Sequence, residues 1–234
     1  MPAEKSTPLR QHGKTTNGST KTGWPQPEWL TSPDLTSYDS AITTMQQRIA
    51  AIHQHQAGEL LWLLEHPPVY TAGTSAQPED LINPGNAIIR RTGRGGQWTW
   101  HGPGQRVIYI MLDLRKRGQD VRRFVNHVEE WAIRSLGLLG LEAHRRAGHP
   151  GVWLDAEDNA APPEKIAAIG IRISRWVSWH GMAINCNPDL GAFDGIIPCG
   201  IREGGVTSLA DRGINADMAA LDEALRASFN QVFQ

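Results

Sequence analysis

Residues 165–185 read Lys165-Ile166-Ala167-Ala168-Ile169-Gly170-Ile171-Arg172-Ile173-Ser174, then Arg175-Trp176, then Val177-Ser178-Trp179-His180-Gly181-Met182-Ala183-Ile184-Asn185. Two strand-like runs joined near Ser174-Arg175-Trp176 predict a β-hairpin. Before it, Gly151-Val152-Trp153-Leu154 reads as a short strand, followed by a polar, proline-containing loop from Asp155 to Glu164 that leads into Lys165. Further back, Leu60-Leu61-Trp62-Leu63-Leu64 is a continuous apolar run between Gly58 and His66-Pro67-Pro68, the pattern of a strand buried on both faces. Ile88–Arg91 and Val107–Leu112 predict two more strands around a glycine-rich segment. Helical spacing recurs three times. Tyr38, Ile42, Met45, Ile49 and Ile52 predict a helix over 38–55 with Thr36 or Ser37 as cap; Val121, Phe124, Val128, Trp131 and Leu136 predict a second, capped by Asp120 and ending near Gly137; Met218, Leu221, Leu225 and Phe229 predict a third over 215–231. Strands outnumber helices and do not alternate with them regularly. The expected class is α/β in the α+β sense, a mixed and largely antiparallel sheet flanked by helices.

The 234 residues, 40% of them hydrophobic, suffice for one sizeable domain, expected over 28–234. Residues 1–27 are rich in Thr, Ser, Gly, Pro and Lys, a composition that buries too little apolar surface to order a chain, and are expected to be a disordered tail. A net charge of -1 gives no reason to expect nucleic acid or an anionic membrane as partner, and no apolar run approaches a membrane span. Two cysteines make no disulfide framework and no zinc pattern, and fit a reducing compartment. No internal repeat is present.

Chemistry concentrates in two places. Arg94-Gly95-Gly96-Gln97-Trp98-Thr99-Trp100-His101-Gly102-Pro103-Gly104-Gln105 sets glycines among charged and aromatic side chains, so that backbone and flat rings can approach a ligand. A phosphate loop is not the reading, because a strand rather than a helix follows and no Lys-Ser/Thr pair is present. A wide hairpin loop whose glycines only serve turns is the alternative. Pro198-Cys199-Gly200 holds a thiol at a turn, where the Gly200 N–H is accessible to a developing oxyanion. Burial as a small hydrophobe is the ordinary fate of a free cysteine and suits Cys186, at a strand end, better than Cys199. His101 and His180 are the default general bases by residue type, or hydrogen-bonded residues of the sheet. Lys165 is the other candidate. Strict alternation puts it on the face of Ala167, Ile169, Ile171 and Ile173, where its amine could take the thiol proton or its charge hold the thiolate. A lysine snorkelling at a strand end is the plainer reading.

Taken together, Leu64-Glu65-His66-Pro67-Pro68-Val69-Tyr70-Thr71, the Arg94–Gln105 segment, Lys165-Ile166-Ala167-Ala168-Ile169-Gly170, Gly181-Met182-Ala183-Ile184-Asn185 and Pro198-Cys199-Gly200-Ile201 resemble, in order and over residues 35 to 225, the lipoyl(octanoyl) transferases of lipoate biosynthesis. The resemblance implies a fold like the catalytic domains of biotin and lipoate ligases. It implies transfer of an octanoyl group from octanoyl-acyl-carrier-protein, through a cysteine thioester, to a lysine of lipoyl domains in 2-oxoacid dehydrogenase complexes and of the glycine cleavage H protein. Cys199 corresponds to the family's nucleophile and Lys165 to the lysine that tunes it. The acyl pocket would comprise Arg94, Gly95, Gly96, Gln97, Trp98, Thr99, Trp100 and His101, then Ala168, Ile169 and Gly170, then Gly181, Met182 and Ala183, with glycines leaving room for the chain. No ATP, metal or cofactor is implied, and a cytoplasmic monomer is expected. Two rivals stay open: an ATP-dependent ligase of the same fold, and a non-catalytic acyl-binding protein.

Overall fold

The computed structural model of the protein describes residues 26–156, 161–197 and 204–233. The tail expected over 1–27 lies outside these as far as residue 25. The elements, in chain order, are β1 (Glu28–Thr31), α1 (Tyr38–His53), β2 (Leu60–Leu64), β3 (Val69–Ala72), β4 (Ile88–Arg91), β5 (Trp98–His101), β6 (Gln105–Met111), α2 (Val121–Leu138), β7 (His144–Arg146), β8 (His149–Leu154), β9 (Glu164–Ser174), β10 (Val177–Asn185) and α3 (Met218–Val232). The expected hairpin is β9–β10, in register from Val177 opposite Ser174 to Ile184 opposite Ala167. Arg175 and Trp176 turn it with φ of 45° and 67°, the two left-handed residues that a tight two-residue hairpin loop requires.

A seven-stranded sheet runs in the order β1-β2-β6-β10-β9-β8-β7, with β1 parallel to β2 and the remaining pairs antiparallel. Alternation sorts its side chains. Leu61, Leu63, Ile108, Ile110 and Ile184 pack under α2 and α3 around the fully buried Trp131, while Leu60, Trp62, Leu64, Val107 and Met111 pack under Met45, Ile49 and Ile52 of α1. The helices begin where their caps dictate: Ser37 Oγ accepts from Ser40 N at 3.2 Å, Asp120 Oδ1 from Arg123 N at 3.0 Å, and Asp217 Oδ1 from Ala220 N at 2.8 Å. The last helix therefore starts at Met218 rather than 215.

The glycine-rich segment departs from expectation. It is not a loop between strands, because its centre is β5, which pairs with β3 in a separate three-stranded sheet ordered β4-β3-β5. Trp98 and Trp100 supply what a mobile loop would lack, a small core of their own with Tyr70, Phe193 and Ile196. A second departure lies in β9. Val152 faces Ala167 but Trp153 faces Lys165, so Ile166 is the extra residue of a β-bulge.

Candidate active site

The small sheet lies over β9 and β10 and closes a cavity against them. Gly95 N donates to the Ile171 carbonyl at 3.2 Å, tying roof to floor. Across the floor, Ala168 stands opposite Ala183 and Gly170 opposite Gly181, a trough of small residues. Arg94, Gly96, Gln97, Trp98, Thr99 and His101 line the cavity from above, with Ile169 and Met182 beside the trough. Two other residues expected in the pocket do not line this cavity. Trp100 turns away to pack edge-on against Phe193, ring centres 5.5 Å apart. Gly95 is spent on the contact with β9.

The glycines also act differently from expectation. A Cβ on Gly170 would come within 3.0 Å of the Gly95 carbonyl oxygen and 3.1 Å of Arg94 Cδ, and one on Gly181 within 2.0 Å of the Ile108 carbonyl oxygen. They allow backbone to approach backbone; the alanines leave the open space. Arg94 is buried and braces the roof, donating through Nη2 to the Thr71 carbonyl at 2.6 Å and hydroxyl at 2.8 Å, and through Nη1 to the Gly95 carbonyl at 3.0 Å.

Lys165 sits at one end of the trough, and the bulge explains how. With Ile166 inserted, Ile166 and Ala167 both join the core under α2, and Lys165 changes face to line the cavity with Ala168 and Gly170. The alternation-based placement of Lys165 beside Ala167, Ile169, Ile171 and Ile173 is thus corrected. The residue is 6% exposed; its Nζ donates to the Pro150 carbonyl at 3.2 Å and lies 4.5 Å from the centre of the Trp153 ring. Gly151, at φ 132°, makes the space, since a Cβ there would approach Lys165 Cε to 3.2 Å. Lys165 N donates to the Gly205 carbonyl at 3.0 Å and Thr207 N to the Lys165 carbonyl at 3.1 Å, while Ile197 N donates to the Asp80 carbonyl at 2.8 Å. The segment between these anchors carries Cys199, which lies outside the described residues, as do Pro198 and Gly200. Phe193 and Val206 complete this end of the cavity. The other thiol, Cys186, is buried, donates to the Ala216 carbonyl at 3.2 Å, and is pushed up in pKa by desolvation.

Aromatic and imidazole rings fill the opposite end. His66 Nδ1 donates to the Thr36 carbonyl at 2.6 Å, which leaves Nε2 to accept from the Tyr109 hydroxyl at 2.7 Å. His101 Nδ1 donates to Gln105 Oε1 at 2.6 Å; Gln105 Nε2 donates to Asn185 Oδ1 at 2.9 Å, and Asn185 Nδ2 to the Thr207 carbonyl at 2.9 Å, a chain of bonds that reaches the residues clasping Lys165. Desolvation lowers His66 to a pKa of about 4 and His101 and His180 to about 3, with Arg94 adding to the effect on the last two. All three are neutral imidazoles at neutral pH. His180 is not beside Lys165, as a base for that site would be: it stands five strand positions from Asn185, about 16 Å at the usual rise. Its φ is 57°, a left-handed conformation that costs a non-glycine residue about 1–3 kcal/mol, and the consequence is that it stacks on Trp179 (4.6 Å, 27°) instead of pointing to the opposite face. The Leu112 amide, just past the end of β6, instead donates to the Ser178 hydroxyl at 3.0 Å.

Tyr38, Tyr109, Gln105, Asn185, Phe193 and Val206 are lining residues that were not among those expected in the pocket. For the strand residues, parity with Val107 and Ala183 was the available signal. Among the described residues no cluster of three or more potential metal ligands is present, and no helix is long and apolar enough to cross a membrane.

Residues 37–230 match the family model described as the lipoyl protein ligase A/B catalytic domain. An octanoyltransferase of Cereibacter sphaeroides (strain ATCC 17025 / ATH 2.4.3) is 52% identical over 212 residues, covering 88% of this chain and 97% of the relative. In fold, the chain is similar to a bipartite lipoate protein ligase of Thermoplasma acidophilum, with a TM-score of 0.63 at 16% identity over 88% of this chain and 83% of that one. It is also similar to a biotin protein ligase of Aquifex aeolicus, with a TM-score of 0.50 at 12% identity over 91% and 70%. The expected mixed sheet with flanking helices is thus also the fold of lipoate and biotin ligases, and with half of its residues shared across nearly the whole of an octanoyltransferase, the chain belongs to the lipoyl protein ligase A/B catalytic-domain family as one of its octanoyltransferases, an acyltransferase enzyme.

Proposed function

We propose that the chain, with residues 28–234 as one catalytic unit, carries an octanoyl group from octanoyl-acyl-carrier-protein to the ε-amine of a lysine on lipoyl domains, through a thioester on Cys199. The acceptors are the lipoyl domains of 2-oxoacid dehydrogenase complexes and the glycine cleavage H protein, and the enzyme works as a cytoplasmic monomer. The observation that carries this reading is the buried side-chain nitrogen of Lys165 at the end of an apolar trough, with the chain that leaves the Cys199 segment hydrogen-bonded to its backbone.

In the first half-reaction Lys165 takes the Cys199 thiol proton, and the thiolate attacks the carbonyl carbon of the carrier thioester. A carbon–sulfur bond to Cys199 forms, the one to the carrier breaks, and the carrier thiolate takes the proton from Lys165. In the second, the acceptor amine attacks the Cys199 thioester. The carbon–nitrogen bond forms, the carbon–sulfur bond breaks, and the amine proton passes by way of Lys165 to the Cys199 thiolate. Exchange of one thioester for another is nearly isoenergetic and conversion to an amide is downhill, so no nucleotide is consumed. The acyl chain lies along Ala168 and Ala183, each buried methylene contributing about 0.8 kcal/mol.

Intact mass after incubation with octanoyl-acyl-carrier-protein, without ATP, is the test. A single octanoyl adduct should form on the parent protein, be labile to hydroxylamine, discharge to an apo lipoyl domain, and be absent from Cys199→Ser. Transfer only from free fatty acid with ATP would instead make the chain a ligase. Lys165→Arg keeps the charge but cannot readily pass protons, and should lose transfer; full activity would reduce Lys165 to an electrostatic partner.

A further inference from the structure

We propose that Tyr38 and His180 form the wall that sets acyl-chain length, separating the acyl trough from an outer groove into which a longer chain would otherwise run; this rests on the octanoyl-transfer reading. The groove lies on the far side of the trough's aromatic end and is lined by Ile42 and Trp179 and by polar and charged residues that include Asp39, Gln46, Arg90 and Arg172. Among the described residues, the two spaces have only Tyr38 and His180 in common.

Both side chains are fixed. The Tyr38 ring is held 5.3 Å from His66 and stacked 6.4 Å from His101 at 14°, and its buried hydroxyl has no hydrogen-bond partner among the described residues. His180 is locked on Trp179 by the left-handed turn of its own backbone; the β9–β10 register runs unbroken through it, while the β6–β10 pairing begins only at Gly181. His180 is 2% exposed, and its Nε2 has no hydrogen-bond partner among the described residues. A methylene chain pushed past it would meet an unsatisfied polar atom that offers it nothing in return. Beyond the wall, Ile42 offers apolar surface that additional methylenes could cover, whereas the Trp179 ring lies under the Arg172 guanidinium at 4.8 Å.

The experiment compares octanoyl and dodecanoyl carrier-protein thioesters as donors for the parent protein, His180→Gly, Tyr38→Ala and Tyr38→Phe. Glycine adopts the backbone conformation of His180 without strain, so His180→Gly removes the wall while keeping the hairpin. In His180→Gly and Tyr38→Ala the ratio of kcat/KM for dodecanoyl over octanoyl should rise at least about tenfold, with a ceiling of about two-hundredfold if all four added methylenes are buried. Tyr38→Phe keeps the ring and should keep the parent ratio. A ratio unchanged in both wall variants, with the parent transferring octanoyl normally, overturns the wall and spares the transfer reading. Failure of the parent to transfer octanoyl strikes that reading instead. Calorimetric binding of octanoate and dodecanoate to the same proteins then decides the wall: dodecanoate must gain on octanoate in the two variants, and equal affinities overturn it.

Discussion

Acidification from pH ~7.5 to ~5 should destabilise the protein by several kcal/mol through three histidines at the aromatic end of the cavity. His66 is lowered to a pKa of about 4, and His101 and His180 to about 3, in each case chiefly because burial penalises the charged ring. In the unfolded chain each titrates near its ordinary value, about 6.5. Above that value both states are neutral and the stability is fully present. As pH falls, the unfolded state binds protons that the folded state refuses, so stability is lost from about pH 6.5 downward toward the folded values. At pH ~5 each imidazole contributes a loss of about 2 kcal/mol, about 6 kcal/mol together, against a total stability of roughly 5–15 kcal/mol. Asp222, whose carboxyl is raised by burial, titrates with the opposite sign and offsets part of this. Urea unfolding followed by tryptophan fluorescence, which nine tryptophans make sensitive, measures the change. His180→Asn isolates one contribution, since asparagine tolerates the left-handed backbone and does not titrate in this range. Its loss between the two pH values should be smaller than the parent's by about 2 kcal/mol. Equal losses would refute the claim that His180 is held neutral by burial.

Deleting Ile166 removes the bulge and returns Lys165 to the core face; octanoyl transfer should fall by more than about a hundredfold while circular dichroism shows an intact fold, and retained activity would show that the bulge does not position the lysine. Gly170→Val drives a branched side chain against the Gly95 carbonyl and Arg94, and should lower stability by about 1–3 kcal/mol and raise KM for the acyl donor; an unchanged KM would separate the roof contact from acyl binding. Arg117→Met strands the buried Glu59 carboxylate, which also accepts from Asp113 N at 2.7 Å, and should cost about 3–5 kcal/mol in urea unfolding; a cost below about 1 kcal/mol would mean that Glu59 is otherwise satisfied.

The frame of the fold is written in periodicity. The apolar runs at 60–64 and 165–185 and the three helical stripes each bury a whole face, and a face is what pattern records. Other features escaped for physical reasons. β3 is Val69-Tyr70-Thr71-Ala72, four residues directly after two prolines, and β5 lies among glycines that read as a loop until Trp98 and Trp100 find Phe193. The bulge at Ile166 is set by pairing with β8, a partner distant in sequence, so alternation assigned Lys165 to the wrong face while its identity and place in the chain were legible. The position of His180 depends on one dihedral angle, which no spacing encodes.

Lys165 is joined at a single point to the strand-like stretch around Val206, through the bonds from its own amide to Gly205 and from Thr207 to its carbonyl. That seam is one residue long, whereas β9 and β10 are zipped along most of their length. Warming would therefore part the seam before the ladder, letting residues 204–206 swing away from the lysine while Thr207 keeps the bond from Asn185 to its carbonyl and every sheet strand stays paired. The enzyme should fall silent at a temperature below its melting point and recover on cooling, and the Thr207 amide, exchanging its hydrogen ahead of its neighbours in β10, would mark the moment.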